Sequence, residues 1–179
     1  MKFVVQAVLG LSLVLVEPAF AATAAPAAPA AAANTAHAKA VQDLLQAMQF
    51  EKVLRGVAAR SRYQNEAQRQ AVFAKLEKTP PAEVYRRLAP SLAPTISADT
   101  ALEMTRFYNT PYGKQVIYKK YNSGPQLNMG GGKSAIAPEE KKERKRAAYV
   151  QASKELAAAE PMLEHEAFKL LQLINKEKR

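Results

Sequence analysis

Apolar side chains recur every three to four residues along most of this chain, in runs that proline or glycine interrupts. Val41, Leu44, Leu45 and Met48 form one such run. Only a helix places residues with this spacing on one face, where they can be buried together. No stretch shows the alternation of apolar and polar residues that a half-buried strand requires. We therefore predict an all-α fold, a small multi-helix bundle whose short connections are marked by proline and glycine.

The first residues have the three parts of a secretory signal peptide. Lys2 supplies a cationic start, residues 3–16 are almost uninterruptedly apolar, and Ala19-Phe20-Ala21 supplies the small-x-small cleavage pattern. A run of this length falls short of the roughly 18 residues that a membrane-spanning helix needs. We predict a signal peptide over residues 1–21, cleavage after Ala21, a periplasmic location, and no transmembrane anchor after cleavage.

The next segment, residues 22–36, consists mostly of alanine and proline. Pro26 and Pro29 interrupt helical hydrogen bonding, and no side chain in this segment is large enough to pack a core. We predict an extended, flexible tether over residues 22–36. A single helical domain is predicted to follow over residues 37–179.

The amino-acid composition limits which kinds of functional site and which partners this chain can have. The chain has no cysteine, which excludes disulfides, thiolate zinc sites and cysteine nucleophiles. Its net charge is +10, and a surface this basic attracts anionic lipid headgroups and acidic polysaccharide. Nucleic acid is not an expected partner, because the predicted location lies outside the cytoplasm. Alternatively, the positive charge serves only to keep the protein soluble.

Proline and capping residues predict where individual helices begin and end. Pro81 and Pro111 suit the first turn of a helix, and Ser97 is predicted to cap the helix between them. Residues 59–70 fit either a polar helix or a break, and residues 122–133 are predicted to form a glycine-rich loop. A long helix is predicted from residue 137, with a kink or break at Pro161.

The segment FYNTPYGK at residues 107–114 is predicted to form a corner between two helices. Thr110 suits the cap and Pro111 the first helical position. Gly113 would then lie inside a helix, where glycine costs about 1 kcal/mol relative to alanine. We therefore expect another stretch of backbone to pass close to Gly113.

This pattern resembles an exported bacterial helical family of unknown function, domain-of-unknown-function family 2059, whose members carry the motif F-Y-x-S/T-P-x-G-K/Q. The resemblance implies an all-helical envelope domain and brings no activity with it. The glycine that usually separates the family's first two helices is replaced here by Gln49 and Phe50. The structural motif residues that match are Phe107, Tyr108, Thr110, Pro111 and Gly113, with Lys114 after them.

Two sets of residues are candidate contacts. Aromatic rings interleaved with lysines can line a ligand groove with cation–π character, although such rings also serve as core and rim. A basic run over residues 141–146 carries a net charge of +4. It can bind anionic lipid or polysaccharide, or it can be solvated surface. The groove candidates are Tyr108, Tyr112, Lys114 and Tyr118, and the polyanion candidates are Lys141, Lys142, Arg144, Lys145 and Arg146.

Catalytic and metal sites are not predicted. Asp99 and Glu103 share a helix face with Arg106 nearby, which fits surface pairing better than acid–base chemistry. His165 has no second histidine at the spacing of a zinc protease motif. We predict no catalytic residue, no metal and no cofactor. The favoured interpretation is a non-enzymatic envelope interaction module with an unidentified envelope partner, and the alternatives are an envelope hydrolase and a binder of anionic lipid or polysaccharide.

Overall fold

The computed structural model describes residues 28–122 and 137–177, and over these residues the chain forms eight helices and no strand. The prediction of an all-α multi-helix fold is confirmed. The predicted signal peptide and nearly all of the predicted glycine-rich loop lie outside the described residues. No described helix combines the length and the apolar character that crossing a membrane requires.

Helix α1 (Ala28–Ala47) begins within the segment predicted to be an extended tether. That prediction is wrong for residues 28–36, while residues 22–27 lie outside the described range. Pro29 occupies the first turn of α1, where its missing N–H would have had no helical partner. Alanine, the strongest helix former, supplies most of the following residues, which favours a helix in this part of the chain.

The corner after α1 is a Schellman motif. The N–H of Phe50 donates to the carbonyl of Leu45 at 3.0 Å, and Phe50 is buried. The N–H of Gln49 donates to the carbonyl of Gln46 at 3.0 Å. Gln49 has a φ of 52°, in the left-handed region where this motif usually places glycine. Helix α2 (Glu51–Arg60) follows directly.

A break separates α2 from α3 (Glu66–Lys78) and decides between the two interpretations of residues 59–70. Ser61 ends α2 in extended backbone. Asn65 caps α3, because its side-chain oxygen accepts the N–H of Gln68 at 2.8 Å. The hydroxyl of Tyr63 donates to the carbonyl of Ala58 at 2.7 Å, which holds the connection against α2.

Helices α4 (Pro81–Leu92) and α5 (Ala98–Asn109) begin at the predicted positions. The hydroxyl of Ser97 accepts the N–H of Thr100 at 3.2 Å, so the predicted cap is confirmed. Helix α4 continues past Pro90 to Leu92, and Pro90 is exposed.

The long helix predicted from residue 137 is divided into α7 (Pro138–Glu143) and α8 (Ala147–Lys176). The chain turns at residues 144–146, where Arg146 takes an extended conformation and pairs with Glu103 of α5. By contrast, α8 runs through Pro161 without a break, so of the predicted kink or break near Glu160 the break is wrong. The proline ring is exposed, and the buried Ala159 and Leu163 hold the helix to the core on both sides of it.

The core lies between α1, α4, α5 and α8. Helix α1 packs on α4 and α5, and α8 packs on α5, α2 and α4. Helix α6 (Pro111–Asn122) packs on α5, and no other described helix approaches its backbone to a comparable extent. Space is therefore left between α6 and the walls formed by α2 and α8. The largest fully buried side chains are Leu44, Leu45, Phe50, Leu54, Leu88, Leu92, Ile96 and Ile174.

Candidate functional site

The motif at residues 107–114 forms the corner that sets the direction of α6. The hydroxyl of Thr110 donates to the carbonyl of Phe107 at 2.7 Å and accepts the N–H of Gly113 at 3.0 Å. One threonine thus caps the end of α5 and the start of α6. A Cβ on Gly113 would lie 2.1 Å from the carbonyl oxygen of Phe107, so the predicted close approach of backbone is confirmed.

A groove of about 540 Å³, here called the main groove, opens between α2, α6 and α8. Buried side chains from α5 and α8 form its floor, and aromatic rings line its walls. A volume and a lining of this kind are typical of sites for small molecules. The apolar residues that line it include Met48, Phe50, Val53, Met104, Phe107, Tyr108, Tyr112, Val116, Tyr121, Tyr149, Leu156 and Leu163.

An aromatic cluster centred on Phe107 stiffens one end of the main groove. The ring centroid of Phe107 lies 4.8 Å from that of Tyr149, 5.2 Å from that of Tyr108 and 6.2 Å from that of Tyr112. These separations, with the rings tilted or edge-on, are the favourable geometries for aromatic pairs. The cluster therefore joins α5, α6 and α8 where the backbones of α6 and α8 do not pack closely.

Three side-chain contacts tie α6 to the opposite walls of the main groove. They reach α7, α8 and the corner between α1 and α2. Contacts of this kind, close to solvent, contribute about 1 kcal/mol or less each. The pairs are Tyr112 Oη to Glu140 at 2.8 Å, Lys120 Nζ to Glu160 at 3.3 Å, and Tyr121 Oη to the Met48 carbonyl at 2.9 Å.

The tyrosine hydroxyls of the groove are protonated at neutral pH. Burial raises the pKa of Tyr108 to about 12. Burial, together with the negative charge of Glu51, raises the pKa of Tyr121 to about 12. Burial and the hydrogen bond to Glu140 raise the pKa of Tyr112 as well. These groups can donate hydrogen bonds, but they are poorly suited to act as bases.

The four candidate groove residues lie on two sides of α6. Tyr108 and Tyr112 line the main groove. Lys114 and Tyr118 line a second groove of about 770 Å³ between α6, α5 and the end of α1, which Tyr108 also borders. Tyr118 is 66% exposed. The structure therefore places Tyr112 in one groove and Lys114 and Tyr118 in the other, and Tyr108 borders both.

Several groove residues were not selected from the sequence. Lys52 and Arg60 enter from α2 and Tyr149 from α8, far from the motif along the chain. The Nζ of Lys52 lies 5.4 Å from the ring centroid of Tyr121, a cation–π contact. The only local signal was the apolar spacing that includes Tyr149, and it indicates packing rather than a site.

The basic run divides into paired and unpaired cations. Arg144 donates to Glu140 through Nε at 2.9 Å, and Arg146 pairs with carboxylates of α5 and α7. Lys141, Lys142 and Lys145 are exposed, and none of them forms an ion pair with another described residue.

Glu103, Arg106, Glu143 and Arg146 form an ion cluster that joins α5 to the α7–α8 connection, with N–O distances of 2.6 to 2.9 Å. Hydrogen bonds from Arg106, more than those from Arg146, hold the pKa of Glu103 and of Glu143 below the usual range of a carboxyl. Asp99 lies exposed in the first turn of α5.

No group of three or more His, Asp and Glu side chains within the described ranges could hold a metal ion. No protein-family model matches this chain, and comparison with curated proteins and with solved structures finds no match. The family resemblance therefore stays a prediction that rests on the motif at residues 107–114.

Proposed function

We propose that this protein is a non-enzymatic binding module of the cell envelope, and that the main groove holds an apolar ligand. The observation that carries the proposal is the groove itself, about 540 Å³ of space with a buried apolar floor and aromatic walls. An empty apolar surface of this size is costly to leave in water, and a ligand that covers it gains the corresponding transfer free energy.

Electrostatics supports binding over hydrolysis. A general acid that works near neutral pH needs a raised carboxyl pKa, as in a carboxyl buried away from cations. In the main groove, the carboxyl pKa shift has the opposite direction. Hydrogen bonds from Tyr112 and Arg144 lower the pKa of Glu140, a carboxyl that lines the main groove.

Filling the main groove from Gly56 tests the proposal. Gly56 lines the groove, and a Cβ there would meet only the Arg60 guanidinium, at 3.4 Å. We expect wild type to enhance the fluorescence of the neutral dye N-phenylnaphthylamine, and Gly56→Leu to weaken dye binding about tenfold. Ala59→Leu is the matched control, because Ala59 is exposed on the same helix and does not line the groove. Equal dye binding by wild type and Gly56→Leu would contradict the proposal.

The envelope location is a proposal carried by residues 1–21. Protein recovered from a periplasmic extract should begin at Ala22, as intact mass measurement can establish. A chain that keeps Met1, or that stays in the cytoplasm, would contradict the proposed location. The proposed ligand binding in the main groove does not depend on this result.

A second candidate function is a contact with anionic lipid or polysaccharide through the unpaired lysines of the basic run. Lys141, Lys142 and Lys145 are exposed and form no ion pair among the described residues. Sedimentation with vesicles containing phosphatidylglycerol should fall sharply between low and physiological salt. Changing all three lysines to Gln should abolish it, and Lys154→Gln should not. Salt-independent or absent sedimentation of wild type would contradict this contact.

A further inference from the structure

One of the charged side chains that line the main groove has no partner of opposite charge among the described residues. Six charged side chains line it: Lys52, Arg60, Lys120, Glu140, Glu160 and Glu164. Each carboxylate has a cation within ion-pair distance. Arg60 pairs with Glu164 at 3.1 Å, Lys120 with Glu160 at 3.3 Å, and Glu140 is paired by Arg144.

Lys52 is the remaining cation. It forms no ion pair with any described residue, and its Nζ lies over the ring of Tyr121 at 5.4 Å. The side chain is half-buried. An ammonium group held against an aromatic face at the edge of an apolar groove is more weakly hydrated than one in open solvent, which favours an anionic partner. The mouth therefore offers, at one defined position, a cation that no described carboxylate pairs with.

The size and closure of the groove favour a flexible chain over a helix. A helix with its side chains is about 10–12 Å across. The ties from Lys120 to Glu160 and from Arg60 to Glu164 join the walls that a docked helix would have to separate. A single extended alkyl chain fits a volume of about 540 Å³ without breaking them.

We infer that the main groove binds a single-chain amphiphile with an anionic head, a long-chain carboxylate. The alkyl chain lies against the floor that includes Met104, Phe107 and Leu156, and the carboxylate pairs with Lys52 at the mouth. This inference rests on the proposed function and adds the class of ligand and the residue that selects its head.

Displacement of N-phenylnaphthylamine by matched ligands tests the inference. The ligands are dodecanoate, dodecanol and dodecyltrimethylammonium, each used below the concentration at which it forms micelles. Wild type should bind dodecanoate about tenfold more tightly than dodecanol, because a charge-assisted hydrogen bond is added. Each methylene group removed from the carboxylate should weaken binding roughly fourfold.

The variant Lys52→Gln should bind both dodecanoate and dodecanol with the affinity that wild type has for dodecanol. Lys119→Gln is the matched control, because Lys119 is an exposed lysine of α6 that lines neither groove. Circular dichroism should show both variants as helical as wild type.

The proposed function of the main groove and the inferred class of ligand are overturned by different results. Absence of dye binding by wild type overturns the function of the groove and the inference with it. Dye binding with equal affinity for dodecanoate and dodecanol, a preference for dodecyltrimethylammonium, or a carboxylate preference retained in Lys52→Gln overturns the inference alone.

Discussion

Gln49 is the only described residue other than glycine with a positive φ, at 52°. A left-handed backbone costs an L-amino acid about 1–2 kcal/mol. The corner offsets that cost, because it satisfies carbonyls at the end of α1 and turns the chain so that Phe50 is buried. Since α2 begins at the next residue, this corner also sets the direction of one wall of the main groove.

Replacing Gln49 with glycine should relieve the backbone strain. We expect Gln49→Gly to raise the free energy of unfolding by about 1 kcal/mol, as measured by urea unfolding. Gln49→Ala is the control, since it removes the side chain but keeps the unfavourable φ, and its stability should stay near that of wild type. A glycine variant no more stable than the alanine variant would contradict this explanation.

Gly113 should tolerate no side chain. The 2.1 Å approach of an added Cβ to the Phe107 carbonyl oxygen leaves backbone movement as the only relief. We expect Gly113→Ala to lower the free energy of unfolding by about 3 kcal/mol. Gly56→Ala, whose Cβ in α2 would meet only the flexible Arg60 guanidinium at 3.4 Å, should instead raise it by about 0.5–1 kcal/mol. Thermal unfolding that moves in the same direction for both variants would count against the corner geometry.

Contacts at helix ends interlock the elements. Glu155 of α8 accepts the Ser97 N–H at 2.6 Å and the Thr100 hydroxyl at 2.8 Å, where the α5 dipole favours negative charge. Lys75 of α3 donates to the carbonyls of Asn175 at 2.5 Å and Glu177 at 2.8 Å, at the end of α8. Each of these contacts orders two helices at once, so they set the angles between elements as well as capping them.

The ion cluster at the α7–α8 connection should make stability depend on pH. Hydrogen bonds from Arg106 keep the pKa of Glu103 and of Glu143 lower in the folded state than in the unfolded state. On acidification the unfolded state therefore binds protons first. The stabilisation is fully present above about pH 5, the upper end of the titration of an unfolded carboxyl, and is lost as the pH falls through the lowered pKa values.

Glu103→Gln should reveal this contribution. We expect it to cost about 1 kcal/mol at about pH 7, after allowing for solvent screening, and to make the loss of stability in acid shallower. Urea unfolding across this pH range measures both effects. Glu77→Gln changes an exposed glutamate of α3 that forms no ion pair among the described residues, and it should follow wild type. Parallel pH profiles for wild type and Glu103→Gln would refute the assignment.

At the scale of the whole molecule, stability should be uneven. Helices α1, α5 and α8 share the core, whereas α6 packs closely on α5 and is otherwise held by side-chain contacts. Amide hydrogen exchange should be slowest in α1, α5 and α8 and clearly faster in α6. Bound dodecanoate should slow exchange in α6 more than in α1, because it adds contacts to α6, the groove wall that packs closely on only one other described helix. Equal exchange rates in α6 and in α1, α5 and α8 would contradict the expected difference in local stability.

The positions of most helices followed from the sequence, because the signals involved act within one or two turns. Apolar spacing identifies a buried face, Pro81 and Pro111 suit first turns, and Ser97 supplies a cap. The cost of a glycine inside a helix likewise indicated that backbone passes close to Gly113.

Only the tertiary structure decided which side chains meet. Arg60 and Glu164 form an ion pair 104 positions apart along the chain, and the extended Arg146 pairs with Glu103 where the chain turns between α7 and α8. The continuity of α8 through Pro161 also depends on neighbouring packing. The main groove exists because α6 packs on one helix rather than two, and periodicity along a chain carries no information about how far apart two packed elements lie.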